Sequence, residues 1–101
     1  MHLIEILLPL TSNQGRRFPE AFYDEVRQAL VDQFGGLTAF VRAPAEGDEK
    51  SGGHERRDMI VVFEVLVEEI DRPWWETYRE RLEARFEQDR IVIRASNVTL
   101  L

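Results

Sequence analysis

The first residues carry a short apolar run centred on a glutamate, and the same pattern returns in the second half of the chain. Leu3-Ile4-Glu5-Ile6-Leu7-Leu8 is interrupted by Pro9 and stopped by Thr11-Ser12-Asn13-Gln14-Gly15, which predicts a strand and then a turn. Pro19 fixes φ at a value suited to a first helical turn. Phe22, Val26, Ala29, Leu30 and Phe34 then recur at helical spacing, and Gly35-Gly36 ends that helix. Leu37 to Ala43 predicts a second strand. Met59 to Glu68, rich in β-branched residues, predicts a third. Asp71 is placed to cap a second helix, whose apolar stripe is Trp75, Tyr78, Leu82 and Phe86 and whose other face is a solvated charge run, Arg79, Glu80, Glu83 and Glu87. Ile91 to Val98 predicts the last strand.

The halves correspond closely. Glu5 matches Glu64, Phe34 matches Phe86, and the same eight residues separate Phe34 from Arg42 and Phe86 from Arg94. The order β-α-β-β-α-β is an α+β, ferredoxin-like arrangement. Right-handed crossovers predict a four-stranded antiparallel sheet in the order 4-1-3-2 with both helices on one face. The segment 44–58 is long, polar and glycine-bearing and reads as a mobile loop.

Side chains alternate across a strand. One predicted face is wholly apolar: Ile4, Ile6, Leu8, Ala39, Val41, Val61, Phe63, Val65, Ile91 and Ile93. It should pack under the helices. The other face carries Leu3, Glu5, Leu7, Thr38, Phe40, Arg42, Val62, Glu64, Leu66, Val92, Arg94 and Ser96. It is too apolar to lie open to water, and a second copy of the chain is the simplest cover. Across the predicted strand order its charges read Arg94, Glu5, Glu64, Arg42, each arginine beside a glutamate. Such a row either fixes register and dimer geometry or forms a polar site for an anionic or zwitterionic ligand.

Composition narrows the chemistry. With 101 residues the chain predicts one domain, 1–101. A net charge of −6 opposes a nucleic-acid backbone as partner. No apolar run approaches the ~20 residues that cross a bilayer, and the first strand lacks the basic flank of a signal peptide, so a cytoplasmic location is expected. There is no cysteine, which excludes disulfides and thiolate metal ligation; with only His2 and His54, no metal and no cofactor are expected. No phosphate-binding glycine loop, Gly-x-Ser-x-Gly elbow or His-Glu-x-x-His helix occurs.

Glu5 and Glu64 could act as acid and base if burial separated their pKa values, although neighbouring arginines favour both remaining ionised. His54, in the polar loop, is a solvated histidine unless the loop folds over a cleft. Trp75 and Tyr78 read as core, whereas Trp74 lies beside their stripe and is placed at a rim or interface. Glu5, Arg42, Glu64, Arg94 and Trp74 are therefore the candidate ligand-binding residues; none is assigned a catalytic role.

Phe34-Gly35-Gly36-Leu37-Thr38-Ala39-Phe40, Arg42-Ala43-Pro44-Ala45-Glu46-Gly47 and Phe86-Glu87-Gln88-Asp89-Arg90-Ile91-Val92-Ile93-Arg94, with the helix start Asp71-Arg72-Pro73-Trp74-Trp75, resemble a family of small, functionally uncharacterised bacterial proteins of ferredoxin-like fold. The resemblance covers nearly the whole chain and implies the fold but no activity. Where that family often carries an aromatic after Ala-Glu-Gly, this chain has Asp48. In fold the chain is also similar to the dimeric α+β barrel group, which includes cofactor-free monooxygenases, isomerases and stress-response proteins; one fold serves many functions. The leading expectation is a homodimer, associated through its sheet face, that binds a small molecule. The alternatives are a cofactor-free monooxygenase or isomerase, and a subunit whose sheet face pairs with a different protein.

Overall fold

The computed structural model describes residues 1–36 and 59–101 and the backbone of 38–42. The predicted loop 44–58, including His54, lies outside the described residues. The elements are β1 (His2–Pro9), α1 (Glu20–Phe34), β2 (Thr38–Arg42), β3 (Ile60–Val67), α2 (Arg72–Arg85) and β4 (Val92–Asn97). Together they are an α+β arrangement of two helices and an antiparallel sheet. β1 pairs antiparallel with β3 on one side and β4 on the other, and the backbone of β2 runs along the far side of β3.

Each helix is delimited by local chemistry. Pro19 stands just outside α1, extended at φ −62° and ψ 147°, and supplies no side-chain cap. Gly35 closes α1 in the left-handed conformation at φ 87°, donating its N–H to the Val31 carbonyl at 2.7 Å. A side chain is unfavourable there, and glycine has none. Asp71 caps α2 by accepting the Trp74 N–H at 3.2 Å, with Pro73 in the first turn.

Apart from Val62, the buried strand residues share one parity. Ile4, Ile6 and Leu8 of β1 and Val61, Phe63, Val65 and Val67 of β3 join Tyr23, Val26 and Leu30 of α1 and Trp75, Tyr78 and Leu82 of α2 in a single core. Both helices therefore pack against the same sheet face. Tyr23, absent from the predicted stripe, is buried, and its hydroxyl donates to the Pro9 carbonyl at 2.6 Å, tying α1 to the end of β1.

The two phenylalanines matched in sequence have matched structural tasks. Phe34, ending α1, stacks on Trp75 at 5.3 Å and meets Trp74 edge-on at 5.2 Å, both at the start of α2. Phe86, just past α2, is fully buried against Phe18, Phe22 and Tyr23 at 5.0, 5.5 and 5.5 Å, around the start of α1. The end of each helix thus packs on the beginning of the other, so the pair runs antiparallel. Arg85 reinforces this by clamping Glu25 with two hydrogen bonds of 3.0 and 2.7 Å, its guanidinium lying 4.0 Å over the Phe22 ring.

Candidate functional site

The sheet face turned away from the helices is organised in rows. One is apolar: Val92, Leu7 and Val62 in register, with Phe40 the next backbone position on β2. The next is charged: Arg94, Glu5 and Glu64, with Thr38 beyond. The third holds Ser96, Leu3 and Leu66. Leu66 and Val92 are 46% and 45% exposed. Val62 is an exception on this face, fully buried yet outside the helix-facing core.

The charged row differs from its expected composition in one place. Thr38, not Arg42, opposes Glu64; Arg42 opposes Ile60, four residues along β3. The equal eight-residue spacing does not give equal register, because β2 begins at Thr38, soon after Gly35 closes α1, whereas β4 begins only at Val92. A turn through Glu87, which adopts φ 51°, lengthens the second connection. Arg94 therefore sits inside its strand opposite Glu5, and Arg42 sits at the end of its own.

Glu5 and Glu64 are direct cross-strand neighbours, a placement that repels when both are ionised. Arg94 offsets it, donating from Nε to Glu5 Oε1 at 2.9 Å. The pair is asymmetric: Glu5 is only 17% exposed and Arg94 is 51% exposed. The result is an edge cation beside two central carboxylates. Such a row can orient a zwitterion or an oppositely patterned protein surface. Replacing Arg94 by leucine should lower monomer stability by about 0.5–1 kcal/mol, the range of a half-exposed pair. A denaturant double-mutant cycle with Glu5→Gln measures the coupling; a value indistinguishable from zero contradicts the pairing.

Trp74 is half-buried, stacked on Tyr78 at 5.0 Å and edge-on to Trp75 at 4.8 Å, so it belongs to the aromatic cluster at the start of α2 and not to the charged row. Within that cluster the Trp75 indole Nε1 and the Tyr78 hydroxyl are buried and find no hydrogen-bond partner among the described residues. Burial pushes the Tyr78 hydroxyl up to about 12, with Arg81 lowering and Glu25 raising it. Burial likewise pushes Tyr23 up to about 12, against Arg17 and with Glu20. Both folded values exceed the ordinary 10.0, so the neutral tyrosines stabilise the fold fully below pH 10 and lose that contribution as pH rises from 10 towards 12. These are the only tyrosines in the chain, so tyrosinate absorbance should appear only near pH 12 or with alkaline unfolding; a reversible native midpoint near 10 contradicts their burial.

Several clefts border α2, and two of them lie against the aromatic cluster. One, of about 250 Å³, lies between α2 and the β4 side of the sheet, with Ile70, Trp75 and Ile93 as walls and Arg72, Glu76 and Arg79 from α2. The other, of about 240 Å³, lies between the helices beside Tyr78 and the Glu25–Arg85 pair. The sequence reading assigned Arg72 no role and placed Arg79 on the solvated charged face, whereas Arg79 borders this cleft beside Trp75. Their spacing was the available signal: 72, 75, 76 and 79 fall on one helical face. His2 is half-buried in β1. Among the described residues, no three His, Asp or Glu side chains gather as a metal site, and no helix is long and apolar enough to cross a membrane.

No protein-family model matches the chain, and no curated protein matches it.

Proposed function

We propose that the chain is a ferredoxin-like βαββαβ domain, with strands in the order 4-1-3-2, that pairs with a second copy through its open sheet face and binds a small molecule in the cytoplasm. The observation that carries the pairing is the open face: Leu66 and Val92 stand about half exposed on either side of a row holding both signs of charge. The three strands with described side chains, at ~4.8 Å spacing and about six residues at ~3.3 Å, give a footprint of roughly 300 Å². Contiguous, largely apolar patches of that size on soluble monomers mark interaction sites. A second copy suits this one by charge. A two-fold axis reverses the row, so cationic edge can meet anionic centre, and the apolar rows on either side meet one another. The clefts beside α2 supply the small-molecule part of the reading.

The chain has no cysteine, so introduced thiols report cleanly. A cysteine replacing Leu66 should react slowly with a thiol reagent in concentrated protein and faster on dilution. A cysteine replacing Val31, exposed on α1, should react quickly at both concentrations. Equal, concentration-independent reactivity at the two sites would count against a covered sheet face.

A further inference from the structure

We infer that the cleft between α2 and β4 is the small-molecule site and that it takes a small organic acid, an apolar body ending in a carboxylate. This rests on the small-molecule part of the reading above. The cleft joins two chemistries. Its walls, Ile70, Trp75 and Ile93, are apolar, and Arg72 and Arg79 come from the α2 side. Arg72 carries no ion pair among the described residues. Arg79 is held only loosely, its Nε 3.6 Å from Glu83 Oε2. Both guanidiniums can turn to an incoming carboxylate, which arginine grips through paired N–H donors.

A second observation points to the same place. Trp75 lines the cleft and is 7% exposed, yet its indole Nε1 has no hydrogen-bond partner among the described residues. Buried donors in folded proteins are almost always paired. The Nε1 atom is shut off from the open cleft, so an acceptor on a ligand reaches it only when the indole turns. Glu76 is the one carboxylate on the lining and opposes an anion. Arg94 also borders the cleft, but its Nε is engaged by Glu5 on the other face. The volume of about 250 Å³ lies just below the usual range for ligand pockets, which restricts the occupant to a small acid.

Both tryptophans of the chain lie in this aromatic cluster, so intrinsic fluorescence reads occupancy without a label. The probes are cyclohexanecarboxylate and its neutral counterpart cyclohexylmethanol, neither of which absorbs with tryptophan. The acid should shift tryptophan emission saturably at or below roughly 10 mM, the weak end for a ligand of this size, and the alcohol should bind about tenfold more weakly. Arg72→Gln and Arg79→Gln should each weaken the acid about tenfold and leave the alcohol unchanged; Glu76→Gln should tighten the acid. Arg72 and Glu76 are exposed, so those two variants keep the native circular dichroism and melting curve and separate lost binding from lost folding. Acid binding that survives both arginine substitutions overturns the cleft assignment while keeping the chain a small-molecule binder. Equal affinity for acid and alcohol overturns the assigned ligand class. No saturable response overturns the site and the small-molecule reading together, and none of these results bears on the dimer.

Discussion

Phe86→Ala lowers the stability of the fold by about 3–5 kcal/mol, the cost of emptying a fully enclosed aromatic site. Phe86 is completely buried and touches Phe18, Phe22 and Tyr23 with ring centres 5.0–5.5 Å apart. Three ring contacts are lost together, each adding to the area term. The site lies between the end of α2 and the start of α1. Domains of this size hold about 5–15 kcal/mol in all, so the variant stands near its folding limit. Equilibrium urea unfolding measures the loss. A change below about 1 kcal/mol contradicts the packing described. Phe34→Ala, at the half-buried counterpart, should cost less, because part of that side chain already meets water.

Leu66→Asp leaves the monomer folded and weakens its association with a second copy by at least about 100-fold. The monomer tolerates the change because Leu66 is already 46% exposed and lies outside the helix-facing core. The dimer does not, because a carboxylate would be buried opposite Leu3 without a cation in its own row. An uncompensated charge in an interface costs several kcal/mol, and about 2.7 kcal/mol is a factor of 100. Sedimentation equilibrium of wild type and variant gives the ratio. An unchanged dissociation constant would place the contact elsewhere on the molecule.

The helices and the core face could be read from the sequence because their signals are local. Gly35 and Asp71 mark helix ends by backbone and side-chain chemistry confined to a few residues, and the even-numbered residues of β1 alternate apolar into the core as the strand period requires. The Arg94–Glu5 contact was readable for the same reason, since both residues sit inside regular strands. The place of Arg42 was not. It depends on how many residues each helix-to-strand connection consumes, and turn geometry such as the positive φ of Glu87 has no periodic signature. Tyr23 lies outside the predicted stripe although 23, 26 and 30 share one helical face, and the Pro9 carbonyl satisfies its hydroxyl in the fold. The cleft between α2 and β4 depends on tertiary contact between Trp75 and a strand remote in sequence, so only the helical spacing of Arg72 and Arg79 foreshadowed it.

The central claim is that a second copy covers the open sheet face, and the mass of the protein in solution tests it most directly. Light scattering on material eluting from a sizing column at roughly 10 μM, where a dimer of about 10 nM dissociation constant is nearly complete, should give close to twice the 11.8 kDa of one chain. A mass of 11.8 kDa at that concentration would contradict the account and leave the face to a different partner.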